Sequence, residues 1–170
     1  MSLDLFLATI VFVSIMVTMI FMWDFARERS SSLEEQRDIQ IQSRQALNSL
    51  LLTPGSPASW EEYNSVNKTN VSSIGLANEP FSINQRKIQR LASANSTFYD
   101  DYKTILGLQG FDFTFEMYSY TDSQQKFSTV PIYRAGKTAA SNISELIVLE
   151  RLVLMDGTQK KAVLAVFRDE

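Results

Sequence analysis

Residues Leu5 to Trp23 read LFLATIVFVSIMVTMIFMW, an apolar run of about 19 residues, close to the roughly 20 that a helix needs to cross a hydrocarbon core. Leu3, Leu7, Ile10, Val11 and Ser14 recur at helical spacing, but apolar residues fill the other faces too. A helix that is apolar all round must sit in lipid or inside other protein. One carboxylate, Asp4, stands at the head of the run, where a plain membrane anchor has no use for a charge.

The run ends at Trp23-Asp24-Phe25, an aromatic pair of the kind found at membrane interfaces, followed by Arg27, Glu28 and Arg29. No proline or glycine interrupts the chain from Ser30 to Leu52. Over that stretch Leu33, Ile39, Ala46, Leu47, Leu50 and Leu51 fall on an arc about 140° wide at about 100° per residue. One continuous helix is expected from about residue 2 to residue 52, roughly 75 Å long at about 1.5 Å per residue. Residues 1–24 would be its lipid- or filament-facing part. Residues 25–53 would be amphipathic, with those six side chains as a stripe on which a sheet lies. Thr53-Pro54-Gly55-Ser56-Pro57 then ends the helix, and residues 54–170 form a single head.

Several classes of function lose their footing on composition. The net charge is −3 and no lysine or arginine stripe appears, so nucleic acid has no electrostatic reason to bind. There is no cysteine and no histidine, which removes disulfides, thiolate zinc sites, the usual general base and both familiar nucleophilic triads. Glu61, Glu62, Asp100 and Asp101 are scattered carboxylates without a positioned partner, so neither an enzyme nor a bound cofactor or metal is expected.

In the head, Ala58 to Glu79 is polar, with no regular structure expected beyond a turn around Trp60 to Tyr63. A helix follows, with Ser82 as N-cap, Gln85 in the capping-box position, and Ile88, Leu91 and Ala92 on one face. A second helical piece runs from Thr97 to Leu106 and stops at Gly107. From Phe111 the period becomes two: Phe111, Phe113, Phe115, Tyr118 and Tyr120 line a strand whose parity slips at Met117, which predicts a bulge. Lys126 to Tyr133 reads as a second strand, limited by Pro131 to an edge or strand-end position, and Ala135 to Thr138 as a polar loop. Leu146 to Met155 and Lys161 to Phe167 form a hairpin across Asp156-Gly157-Thr158-Gln159. The fold class is α+β, a long N-terminal helix packed on an antiparallel sheet of at least four strands.

Four sequons, at Asn67, Asn70, Asn95 and Asn142, all lie in the head and none in the apolar run. Either they are plain polar loops or they mark an extracellular head that carries N-glycans. Arg27 and Arg29 point the other way, since basic residues after the span would hold the head inside. A basic leader, removed during maturation, would reconcile the two by keeping the N-terminus inside during insertion.

The opening SLDLFLATIVFVSIMVTMIF resembles the mature N-terminus of archaeal type IV pilins and pilin-like proteins, where a small residue, an aliphatic one and an acid precede a long apolar helix. Leu51-Leu52-Thr53-Pro54-Gly55-Ser56-Pro57 followed by Trp60 is similar to the helix-ending segment of that family. Ile88-Gln89-Arg90-Leu91 through Leu106-Gly107-Leu108 to Phe111-Asp112-Phe113 resembles its helical insert and first strand. The loops around residues 64 to 80 and 121 to 145 are unmatched. Members of the family carry a leader before a processing site, and this sequence starts at Met1 instead. The resemblance implies a pilin-like fold and a filament subunit, major or minor, whose partners are other pilin subunits through their N-terminal helices, with the membrane as host before assembly. It also implies that Asp4 compensates the N-terminal amine of a neighbouring subunit; the alternative is a helix-end charge favoured by the dipole. A different class of function stays open, a single-span surface binding module of the adhesin or sensor kind. Tyr118, Tyr120 and Tyr133 would support that reading if they face outward rather than pack on the sheet.

Overall fold

The computed structural model describes residues 3–93, 98–121, 126–139 and 142–169. Its longest element is helix α1, Leu3–Leu52, and the chain divides into two compact units, Met1–Asp38 and Ile39–Glu170. The described residues of the first unit are all helical. The second takes in the last turns of α1 together with everything expected of the head, so its boundary falls well before residue 54.

Within the second unit, Ile39, Ser43, Ala46, Leu47, Leu50 and Leu51 are all buried, a spacing that keeps one face of α1 inward. The buried hydroxyl of Ser43 donates to the carbonyl of Ile39, so no polar group is stranded there. Leu33, expected on the same stripe, has a side chain outside the described set. The helix terminus is closed by the chain that follows. Thr53 Oγ1 donates to Ser49 O, the Leu76 amide to Leu50 O at 2.8 Å, and the Phe81 amide to Leu51 O at 2.8 Å. These are carbonyls that a helix leaves without partners at its end. Gly75 allows the approach, because a Cβ there would sit 2.1 Å from Thr53 O.

Short strands β1 (Gly55–Ser56) and β2 (Ser73–Ile74) pair around a single 3-10 turn, Trp60–Glu62, whose Trp60 indole donates to Gly75 O. Strands β3 (Ala77–Glu79) and β4 (Ser82–Ile83) follow, then helices α2 (Gln85–Ala92) and α3 (Tyr99–Ile105). The remaining strands are β5 (Asp112–Thr121), β6 (Lys126–Phe127), β7 (Tyr133–Gly136), β8 (Ile143–Met155) and β9 (Thr158–Asp169). Among the described residues they make a seven-stranded sheet in the order β3-β4-β8-β9-β5, with β6 and β7 both paired to β5. Phe113, Phe115, Met117, Leu164 and Val166 on one sheet face belong to the same core cluster as the buried stripe of α1.

The α+β architecture is as read from the sequence, with corrections of detail. The sheet is mixed, because β4 runs parallel to β8 at Ser82↔Leu154 while the other pairs are antiparallel. Strand β5 has no bulge: its register with β9 is continuous from Asp112 to Ser119, and Met117 is the fourth inward residue after Phe111, Phe113 and Phe115. Tyr118 and Tyr120 therefore lie on the opposite face, and the slip of parity came from counting them as inward. Helix α2 is capped by Asn84, whose Oδ1 accepts the amides of Arg86 and Lys87, while Ser82 is taken up in β4. The Lys126–Tyr133 strand is broken, since Ser128 and Val130 form a local turn before Pro131 and the chain resumes as β7, which absorbs Ala135 and Gly136. The β8–β9 turn is two residues, Asp156 and Gly157, both at positive φ (52° and 71°), as the tight primed hairpin requires. The polar stretch Ala58–Glu79 contains β2 and β3, which form because they lace the helix end to the sheet.

Leu50→Asp puts an unpaired carboxylate in the core beside a lost leucine, and should cost at least about 4 kcal/mol, enough to unfold a head of ordinary stability. Ile41→Asp, on the exposed side of the same helix, should change the melt by no more than about 0.5 kcal/mol. Thermal unfolding followed by near-ultraviolet circular dichroism distinguishes the two. Equal melts for the Leu50 variant and wild type would refute the packing.

Candidate functional site

The candidate site is the surface of α1 in the first unit. Phe6–Arg27 is 22 residues long and, by length and composition, able to cross a membrane; none of it is buried within the chain. Phe12, Phe21 and Trp23 are 64%, 71% and 73% exposed, part of a contiguous apolar surface that the chain itself leaves uncovered. The few polar side chains of the run are compatible with an apolar surrounding. Ser14 Oγ donates to Ile10 O at 2.9 Å and Thr18 Oγ1 to Ser14 O at 2.8 Å, so both hydroxyls are satisfied within the helix. Chemically, such a surface offers packing and nothing else. The Asp4 side chain, at the head of the run, is outside the described set.

Of the residues expected to join helix and head, Ile39, Ala46, Leu47, Leu50 and Leu51 are each 1% exposed or less. Among the sequon asparagines, Asn67 and Asn70 are half-buried and mutually bonded. The Asn70 amide donates to Asn67 Oδ1, the Asn67 amide donates to Asn70 Oδ1, and Asn70 Nδ2 donates to Ser65 O at 2.6 Å. Asn142 is exposed at the start of β8, and Asn95 lies outside the described residues. A glycan on Asn70 would require the Ser65 bond to break, which leaves Asn142 as the more accessible acceptor.

Tyr118 and Tyr120 are half-buried on the outer sheet face. The Tyr118 hydroxyl bonds Glu116, which pushes its pKa up to about 12, with burial adding to the shift. Tyr133 lies on the inner side of β7, opposite Met117, and is half-buried. These tyrosines are thus largely engaged in packing and pairing. Asp100 and Asp101 sit in the first turn of α3, and among the described residues no three carboxylates gather as a cation would need.

Two features were missed in the sequence. Lys87 is buried, its ammonium donating to Pro54 O at 2.6 Å; burial lowers its pKa, and the nearby Glu61 only partly offsets this. A lysine in a polar helix carries no sign of burial. The second feature is Asp112, which joins three elements: it accepts from Lys103 at 3.0 Å, Lys137 at 2.7 Å and the Tyr99 hydroxyl at 3.1 Å, while Lys137 also reaches Asp169 at 2.6 Å. Burial by itself would raise the Asp112 pKa, but the hydrogen bonds from Lys137 and Lys103 outweigh it and hold the carboxyl below its ordinary 3.8.

No protein-family profile, no characterised protein and no solved structure matches this chain.

Because the folded pKa of Asp112 is depressed, its contribution is present above pH 3.8 and is lost as pH falls through the folded value. Asp112→Asn should therefore destabilise the head at neutral pH by on the order of 1–2 kcal/mol, and the gap to wild type should narrow as pH falls below 3.8. Urea melts at pH 7 and pH 3 would show this, and a gap that is the same at both pH values would contradict it.

Proposed function

We propose that this chain is a structural subunit of an extracellular type IV pilus-like filament, resembling the archaeal pilins. Its apolar N-terminal helix anchors it in the membrane and then packs with the helices of other copies to form the filament core. The observation that carries the reading is the 22-residue apolar span with no side chain covered by the chain itself, inside a helix that continues without a break to residue 52. A plain anchor has no need of a helix that also forms a wall of the head's core. A helix satisfies its own backbone in lipid and in a helical bundle alike, so one sequence serves both states. The sequons, confined to the head, favour a head outside the cell, where Asn142 is open to glycan attachment.

In this reading Asp4 pairs with the N-terminal amine of a neighbouring copy, since an unpaired carboxylate in an apolar core is costly. Asp4→Ala should leave the chain folded and membrane-inserted but cut its incorporation into filaments by ten-fold or more, whereas Asp4→Glu should largely preserve it. Immunoblots of filaments sheared from cells, beside the membrane fraction, read the outcome. Normal incorporation of the alanine variant would reduce Asp4 to a helix-end charge. Protease added to intact cells should cut the head; a head that stays intact while another surface protein is cleaved would place it inside.

A further inference from the structure

Strand β8 carries an unusual load on both faces. Alternate residues of a strand point to opposite sides. Leu149 half-buries itself on the inner face with the core, and Arg151 shares that side. On the outer face Leu146, Val148, Leu152 and Leu154 are each 49–58% exposed and surround a single carboxylate, Glu150. The Glu150 side chain is 56% exposed, and its ion pair with Lys161 is long, at 3.4 Å. An exposed pair of that kind contributes little, so Glu150 is free to take a better partner.

A cleft of about 290 Å³ opens between the inner side of β8 and α1, lined by Arg44, Leu47, Asn48, Leu149 and Arg151. Among the described residues neither arginine makes an ion pair, and the one polar contact of Arg151 is a hydrogen bond to the carbonyl of Glu150 at 2.9 Å. Two unpaired guanidinium groups, an amide and two leucine walls suit a carboxylate set in an apolar ring.

We infer that the Arg44–Arg151 cleft receives Glu150 of a second copy of this chain, with Val148 and Leu152 of that copy against the half-buried Leu149. Knob and hole lie on opposite faces of the same strand. The contact is therefore heterologous, and each copy that binds presents a fresh Glu150 to the next. Such a contact runs on as an open helix where the rotation between copies does not close a ring, which is what a filament wall requires; to this extent the inference rests on the filament reading.

The absence of native cysteine makes the test specific. Full-length Asn48→Cys and Leu152→Cys chains are co-expressed in one membrane and treated with a short bismaleimide. The mixture should give a covalent dimer that neither variant gives by itself. Adding Glu150→Arg to the Leu152→Cys chain should reduce the dimer at least ten-fold, and adding Arg44→Glu to the Asn48→Cys chain should restore much of it. Thermal melts confirm that each variant is folded. No dimer in the mixture, self-linking of Leu152→Cys only, or a dimer indifferent to Glu150→Arg would each overturn the contact. So would a melt raised by inorganic phosphate and abolished by Arg44→Glu without any cross-link, because the cleft would then hold a small anion. Dimers in the membrane without filaments would sink the filament reading and leave the contact standing. Normal filaments from the Glu150→Arg variant would do the reverse.

Discussion

The head depends on the burial of one face of a helix that begins as something else. Leu47, Leu50 and Leu51 complete a core whose other wall is the sheet, and removing them would leave Phe113, Phe115 and Leu164 facing water. Burial of three leucines contributes on the order of 5 kcal/mol or more, comparable to the whole net stability of a domain this size. The bonds from Leu76 and Phe81 to the last helical carbonyls fix where the helix stops, so the segment after Thr53 is ordered by the helix it caps. Phe81 accepts an uncommon positive φ of 62° to do this, because its amide serves the helix and its carbonyl serves Leu154 of β8.

That dependence ties the two halves of the helix into one physical problem. A span of free-standing apolar residues is tolerable only with a neighbour, whether lipid or protein. The head's own electrostatics are local and modest: Asp112, Lys103, Lys137 and Asp169 tie α3, β5, the residue after β7 and the end of β9 together near one end of the sheet. Elsewhere leucines of β8 face out, and Arg44 of α1 and Arg151 of β8 line a cleft in which, among the described residues, neither makes an ion pair.

Long periodic elements were legible in the sequence because each rests on many residues that agree. The stripe Ile39 to Leu51 and the β8–β9 hairpin with its Asp156-Gly157 turn are of this kind. Short elements were not. Strands β2 and β4 are two residues long and pair with backbone far along the chain, in β1 and β8, which no local propensity records, while β3 pairs only with β4. Met117 was misplaced because Tyr118 and Tyr120 are as bulky as the inward phenylalanines, so bulk alone misjudged the face. For the candidate site, the apolar run was legible as pattern, while the Arg44–Arg151 cleft was not, since its two arginines stand more than a hundred positions apart in the chain. The one clue was that both parities of β8 are aliphatic, Leu146 and Val148 against Ile147 and Leu149, a pattern of strands covered on both faces.

The most direct measurement is electron cryomicroscopy of filaments sheared from cells that express the chain with an epitope tag on an exposed loop of the head. A filament whose axis is a bundle of the Phe6–Arg27 helices of successive copies, with the sheet-bearing units around it, is the predicted result. Preparations in which every tagged chain stays in the membrane fraction, and no filament contains it, would contradict the proposal that this helix is built for assembly.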